Sequence, residues 1–393
     1  MEAGAVTTVP FSRTPRVWLL LGHKAGDNTQ VLALAEALGW PYESKHMIYR
    51  QYELFTNVIM GPTLAGIIKQ RSSSLIPPWP DLVITAGRRN EPVARWIQQQ
   101  AGGKVRLVHI GRPWARLERF DLIISTLQYQ LPVSKNVLVN PMPLHRVTQK
   151  RLDKAASEWA TRLAHLPRPY FAVLVGGHSG SYVFGPPLGE RLGREASVMA
   201  SAVGGSLLIT TSARTPSATS AALAAAITNQ PHHFFQWSSD AADNPYFGYL
   251  ALADAIIVTG DSISMLTEAC ATCKPVYIFY PTEYAAEAEV NVTNYARPPD
   301  LGKRRRQGIR FQALTDRLAM RFGPRRMKRD IGAIHEYLIN SGRAVWLGES
   351  FPPRALFPPP LEDLHNAVTH VQALLMTNAL AHNPTIRTVS SKT

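Results

Sequence analysis

Ala253-Asp-Ala-Ile-Ile-Val-Thr-Gly-Asp-Ser-Ile-Ser-Met-Leu-Thr-Glu-Ala-Cys-Ala-Thr-Cys-Lys-Pro-Val-Tyr-Ile-Phe279 is a strand, a turn, a helix and a second strand in one uninterrupted passage. Ala255 to Thr259 is a continuous apolar and β-branched run, the pattern of a strand buried on both faces. Gly260-Asp-Ser supplies the turn, Ser262 to Thr272 reads as a helix, and Lys274-Pro275 ends it before the run Pro275 to Phe279. Two buried strands joined through a helix form a parallel crossover unit. The turn at the helix start presents free amides and the positive end of the helix dipole, which suit an anion. Ser264 and Glu268 stand four residues apart, hence on one helix face about 6 Å apart along the axis. That offset suits a diphosphate at the helix end and a ribose diol on the carboxylate one turn on. The same residues also fit a plain Asp/Ser N-cap followed by a solvated glutamate.

Working outward, the pattern repeats on both sides. In the first half, strands are expected over Arg16 to Gly22, Asp81 to Thr85, Val105 to Ile110, Leu122 to Ser125 and Asn136 to Val139, with helices over Thr29 to Leu38 and Glu91 to Gln100. After a helical stretch, Leu152 to Leu163, and the stiff segment His165-Leu-Pro-Arg-Pro169, the alternation restarts. Strands are expected over Tyr170 to Val175, Ser206 to Thr211 and His233 to Trp237, and helices over Leu188 to Val203, Ser217 to Thr228 and Tyr246 to Ala253. The expected fold class is α/β, with two Rossmann-like doubly wound domains facing a cleft. The expected divisions are tails at 1–15 and 383–393, domains at 16–165 and 166–300, and a basic helical segment at 301–382 that packs back on them.

Composition narrows the function classes. A chain of 393 residues, 45% hydrophobic and 18% charged, is long enough for two or three domains with real cores. The formal charge is +14, but it is concentrated. Lys303 to Arg329 holds eleven basic residues and one acid, Asp316, a net +10 that leaves +4 for the rest. Ile309 to Phe322 scans as a helix with Phe311, Leu314, Leu318 and Phe322 on one face and Arg310, Arg317 and Arg321 beside it. A nucleic-acid groove interleaves aromatics with basic residues, and here the two phenylalanines fall on the core face. The strip therefore reads as a solvated face or as a contact with an anionic membrane surface, not as a nucleic-acid site. No apolar run approaches the length of a membrane span, and a signal-peptide core is lacking. The expected location is cytoplasmic, with peripheral attachment at the inner face of a membrane as the further implication of the strip. Cys270-Ala-Thr-Cys273 sits at a helix C-terminus, where the dipole raises a thiol pKa, and no second ligand pair completes a metal site. It reads as structural, and no metal is expected.

A strand, a serine-bearing helix start, a mid-helix glutamate and a Lys-Pro before the next strand resemble the donor-binding domain of GT-B glycosyltransferases. A fuller match adds Asn244-Pro-Tyr-Phe-Gly-Tyr-Leu250, Thr211-Ser-Ala-Arg-Thr215 and Val175-Gly-Gly-His178, with Gly22-His-Lys-Ala-Gly-Asp-Asn-Thr-Gln30 and Pro143-Leu-His-Arg-Val-Thr148 in the first half. Together these resemble the plant mitochondrial-fission ("elongated mitochondria") family, whose bacterial relatives are labelled glycosyltransferases. The resemblance spans roughly residues 16–350. One departure is Cys273, where GT-B relatives usually place glycine, so the helix ending there needs another way to turn.

The resemblance implies a GT-B-like protein whose first domain holds an acceptor and whose second binds a nucleotide sugar. The nucleotide contacts expected are Gly176, Gly177, Ser179, Ser212, Arg214, Thr215, Asp261, Ser262, Ser264 and Glu268. Glycines 176 and 177 would let backbone approach a phosphate, and Arg214 would clamp a diphosphate. The segment lacks the Gly-x-Gly-x-x-Gly fingerprint and the acidic residue that nicotinamide binding requires. By analogy with inverting GT-B enzymes the general base lies in the loop after the first strand, as Asp27 or His23; Asp27 equally fits a helix cap. Gly87-Arg-Arg-Asn90 could hold an anionic acceptor or form a solvated turn. The chain contains no Asp-x-Asp, so such a transferase is expected to be metal-independent and without a cofactor, the nucleotide sugar being its substrate. Two other classes fit the same resemblance: a non-catalytic scaffold that recruits a division GTPase, and a nucleotide-sugar epimerase. Oligomeric state is not readable from these residues.

Overall fold

The computed structural model describes residues 13–50, 61–179, 183–227, 229–239, 243–280, 329–350 and 361–382. The basic strip lies outside these, Arg329 apart, as do most of both tails. The chain divides into two compact units, Met1–Arg146 with Leu361–Thr393, and Val147–Pro360.

The first unit is built on six parallel strands, β1 (Val17–Leu21), β2 (Tyr42–His46), β3 (Leu82–Ala86), β4 (Arg106–Ile110), β5 (Leu122–Thr126) and β6 (Val137–Asn140), in the order β2-β1-β3-β4-β5-β6. β1, β3 and β5 are buried throughout, as a sheet covered on both faces demands. One face is covered by α1 (Ala25–Leu38), the other by α2 (Glu91–Gln100). β2, Tyr-Glu-Ser-Lys-His, carries no apolar run and is not marked by hydrophobic pattern; it forms the edge of the sheet, where strands are often polar. Its Lys45 lays its ammonium over the Trp18 ring, 4.3 Å from the centroid, and so stays buried at that edge.

The second unit carries β7 (Tyr170–Leu174), β8 (Ser206–Thr210), β9 (His232–Phe235), β10 (Ala255–Thr259), β11 (Val276–Phe279) and β12 (Val345–Trp346), again all parallel, in the order β12-β11-β10-β7-β8-β9. Counted within the unit this is the 3-2-1-4-5-6 order of a dinucleotide-type Rossmann sheet. Its helices are α3 (Gln149–Leu163), α4 (Pro186–Ser201), α5 (Ser217–Ala226), α6 (Tyr246–Leu252), α7 (Ile263–Cys270) and α8 (Gly332–Asn340). α3 belongs here and not to the first domain: Trp159 packs against Gly248 of α6, where an added Cβ would stand 2.5 Å from the indole. The division therefore falls after Arg146, before α3, and not at the Pro-rich segment near 165.

The expected segment 301–382 is also divided. α8 and β12 extend the second unit, whereas α9 (Asp363–His382) belongs to the first. There Ala367, Val371 and Leu375, four residues apart, enter the core beside α1. The buried Asp363 anchors the helix start: its Oδ1 accepts the Met142 amide at 2.8 Å and its carbonyl accepts Asn140 Nδ2 at 2.9 Å.

The passage Ala253–Phe279 forms as the pattern implies, and its end shows how Cys273 replaces glycine. The residue takes a left-handed conformation, φ 55°, and its amide bonds to the Cys270 carbonyl at 3.1 Å. Lys274 follows, donating from Nζ to the carbonyls of Leu250 (2.8 Å) and Ala251 (2.6 Å), which closes the end of α6. Burial brings the Lys274 ammonium down to about 8. Cys270 is buried and its thiol is pushed up to about 12 by that burial. A left-handed non-glycine residue costs roughly 1–2 kcal/mol, partly offset in glycine by lost chain entropy. Cys273→Gly should therefore raise stability by about 1 kcal/mol, or roughly 2–4 °C in Tm for a unit of this size. Thermal unfolding checks it; an unchanged or lower Tm contradicts this account of the turn.

Candidate functional site

In each sheet the strand order reverses at one place, between β1 and β3 in the first unit and between β7 and β10 in the second. Crossovers leave such a point toward opposite faces, and a crevice opens beyond the carboxyl ends of the two strands. The residues singled out from sequence gather at these two points.

In the second unit the loops after β7, β8 and β10 meet around Asp261. This carboxylate is 2% exposed. Its Oδ2 accepts the Gly177 amide and an Arg214 guanidinium N–H, both at 2.9 Å. Burial pushes the carboxyl above its ordinary pKa, against the pull of Arg214, the Gly177 amide and the Thr259 hydroxyl. The same Arg214 nitrogen donates to the His178 carbonyl at 3.0 Å. Ser212 and Thr215 turn inward: the Ser212 hydroxyl donates to the Gly176 carbonyl at 2.8 Å, and Thr215 donates to the same oxygen. Ser179 lies in the loop after β7 and is half-buried.

This geometry changes the reason for the two glycines. The Gly176 amide donates to Thr259 Oγ1 at 2.7 Å and the Gly177 amide to Asp261, so both are spent inside the loop cluster. A Cβ at Gly176 would lie 2.4 Å from Asp261 Oδ2, and one at Gly177 2.1 Å from the Arg214 carbonyl oxygen. The glycines admit the neighbouring loops rather than holding a cradle open.

The start of α7 is different. Ser262 occupies the N-cap position, but its side chain makes no capping bond, and Asp261 is turned away toward Arg214 and Gly177. The plain Asp/Ser cap that the sequence also allowed is not formed. Leu266 is the first residue whose amide returns to the Ser262 carbonyl, at 3.0 Å. The amides of Ile263, Ser264 and Met265 meet no acceptor among the described residues, leaving the positive end of the helix unsatisfied. Behind the turn, His335 of α8 holds the Gly260 carbonyl at 2.8 Å from Nε2, and burial lowers its pKa. Glu268, one turn into α7, is only 8% exposed, so it is not a solvated surface glutamate. It accepts the hydroxyl of Tyr246.

In the first unit α1 begins at Ala25, four residues before the expected start, with Lys24 at the N-cap position. Asp27 is thus the third helical residue and not the cap. Its carboxylate faces Gly87, where a Cβ would lie 2.5 Å from Oδ2 and where φ is 74°. Asn28 fixes the loop after β1 by bonding the Gly22 amide (2.9 Å) and carbonyl (2.8 Å). Asn90 joins the two strand ends, donating to the carbonyls of Leu20 (2.9 Å) and Ala86 (3.2 Å) while accepting the Tyr49 hydroxyl. The result is an open pocket lined by His23, Lys24, Asp27, Tyr49, Arg88 and Arg89, among others. His23 is exposed and meets Tyr49 edge-on, 5.9 Å between centroids. Three cations border one carboxylate, a setting that suits an anionic ligand beside a group able to accept a proton.

Tyr246, Tyr49, Lys24 and His335 take part in these two clusters without having been singled out. Tyr246 lay inside a quoted motif, but nothing in its spacing pointed at Glu268, because the partners come from different helices. His335 follows a long stretch without strand pattern. No group of three or more His, Cys, Asp or Glu side chains placed to hold a metal occurs among the described residues.

The chain is 31% identical over 242 residues to the mitochondrial fission protein ELM1 of Arabidopsis thaliana, a match that covers 56% of this chain and 56% of that protein. The matched region thus spans little more than half the length of that relative. An uncharacterised protein of Rickettsia prowazekii (strain Madrid E) is 26% identical over 304 residues, covering 68% of this chain and 84% of its own. Among solved structures the chain is similar to the UDP-GlcNAc 2-epimerase of Methanocaldococcus jannaschii in complex with UDP-GlcNAc and UDP, with TM-score 0.46, 10% identity, and coverage of 92% of this chain and 99% of that one. It is also similar to MurG of Acinetobacter baumannii, with TM-score 0.40, 15% identity, and coverage of 94% and 95%. The profile of the mitochondrial fission ELM1 family matches residues 25–292. The chain belongs to that family.

Proposed function

We propose that this protein binds a nucleotide sugar in its second unit and transfers the sugar, without a metal, to an envelope or lipid-linked acceptor. The observation that carries the reading is the uncapped start of α7. Three amides there meet no acceptor among the described residues, although an aspartate and a serine adjoin them. Side chains that could cap a helix and do not leave it suited to an external anion. A diphosphate on the amides of Ile263, Ser264 and Met265 would have Ser262 and Ser264 beside it and Glu268 one turn on for the ribose. Arg214 would turn from Asp261 to the phosphates, trading one charged partner for another.

The chemistry is a displacement at the anomeric carbon. The acceptor oxygen forms the new bond as the bond to the diphosphate breaks, and the nucleoside diphosphate leaves with that electron pair. The acceptor proton passes to Asp27, the carboxylate of the first unit's switch point; His23 is the other candidate base. The strip 303–329 supplies the anionic-membrane contact of this reading, which suits a lipid-linked acceptor. No helix among the described residues is long and apolar enough to cross a membrane.

A second reading, a non-catalytic adaptor, is favoured by the closed loop cluster, where Asp261 at Gly176 and the Arg214 backbone at Gly177 fill the space a phosphate would need. Binding separates the two. Calorimetry with UDP-, GDP-, ADP- and CMP-sugars should find at least one ligand, and Glu268→Ala should weaken it about tenfold or more. No binding by any of them contradicts the transferase and leaves the adaptor; an unchanged affinity in Glu268→Ala removes the ribose assignment. With a binding sugar nucleotide and membrane lipid extract as acceptor, Asp27→Asn should lower nucleoside diphosphate release by about a hundredfold or more while leaving binding intact. Loss in His23→Ala with activity kept in Asp27→Asn would move the base to His23.

A further inference from the structure

Glu268 of α7 has a partner on a second helix. Tyr246, the first residue of α6, donates its hydroxyl to Glu268 Oε2. Several contacts hold the tyrosine in place. Asn244 Oδ1 accepts the Tyr246 amide at 3.0 Å, Lys274 closes the far end of α6, and Trp159 packs against Gly248 in between. The hydroxyl therefore reaches the carboxylate from a helix fixed at both ends and along its side. Burial, the Glu268 charge and the hydrogen bond itself push the Tyr246 phenol well above its ordinary range, so it stays a donor throughout the neutral and mildly alkaline range.

A carboxylate has two oxygens with about four acceptor positions and no donor of its own. A ribose brings two adjacent hydroxyls that must both find acceptors with fixed directions. An unrestrained glutamate rotates about its terminal bond and offers those directions only part of the time. We propose that Tyr246 is a positioning residue that locks the Glu268 carboxylate in the plane required by a ribose diol, and so makes the site selective for ribonucleotides over 2′-deoxyribonucleotides. This rests on the nucleotide reading of the second unit. The tyrosine does not touch the sugar; its effect passes through the carboxylate.

The test compares the tightest-binding of UDP, GDP and ADP with its 2′-deoxy counterpart, by calorimetry, in wild type, Tyr246→Phe and Glu268→Gln. Tyr246→Phe removes the hydroxyl and keeps the ring that packs beside Phe247. Wild type should favour the ribonucleotide by about tenfold or more. Tyr246→Phe should bring the ratio to within about twofold, chiefly by weakening the ribonucleotide, and Glu268→Gln should do the same. A role in folding alone would lower Tm and leave the ratio untouched. If Glu268→Gln loses the preference and Tyr246→Phe keeps it, the inference about Tyr246 falls and the nucleotide site stands. If wild type binds none of the three, or binds both sugars equally, the ribose reading fails and this inference with it.

Discussion

A parallel sheet can be extended from either side, but at the strand where the order reverses its crossovers must leave toward opposite faces. That constraint acts twice in this chain, between β1 and β3 and between β7 and β10. At both points the sequence places small or polar residues just after strands that are mostly apolar. Gly22 and Gly87 flank one point, and Gly176, Gly177, Gly260 and Asp261 the other. Within each unit the chemistry is concentrated where packing leaves an opening.

At the second point the opening is shaped by an ion pair that is buried on its aspartate side. Arg214 and the Gly177 amide both bond Asp261 Oδ2, whereas the buried Oδ1 meets no hydrogen-bond donor among the described residues. Taking two charges out of water is costly unless both are well partnered. Here the arginine retains 40% exposure of its side chain, whereas the aspartate is almost wholly enclosed. The pair therefore holds three loops together from the aspartate side while the guanidinium keeps a face toward solvent. With Asp261 committed in this way, the α7 amides are left uncapped. One buried carboxylate thus accounts for both the closed glycine loop and the open helix start.

Much of this was legible in the chain itself. Continuous runs such as Ala255 to Thr259 read as strands buried on both faces, so the central strands of both sheets follow from hydrophobic pattern. The edge strand Tyr42–His46 does not, because an edge is free to be polar, and β12 is too short to leave a periodic trace. The place of α9 was hidden for another reason: Asp363 reaches Met142 across a sequence separation of 221 residues, which no local pattern reports. Of the candidate site residues, Ser264 and Glu268 are marked in sequence by their helical spacing. Gly176 and Gly177 admit neighbouring loops in the structure, a role that sequence alone does not distinguish from opening a cradle. The partnership of Tyr246 with Glu268 depends on two helices meeting and had no linear signature.

The account depends on the α7 start being a ligand site rather than an idle helix end. Hydrogen exchange by mass spectrometry, with and without saturating UDP-, GDP-, ADP- or CMP-sugar, reads that directly. The expected result is slowed exchange in the peptide covering Ile263, Ser264 and Met265, whose amides gain acceptors only when an anion binds. Unchanged exchange there with every sugar nucleotide, or protection confined to peptides elsewhere in the chain, would contradict it.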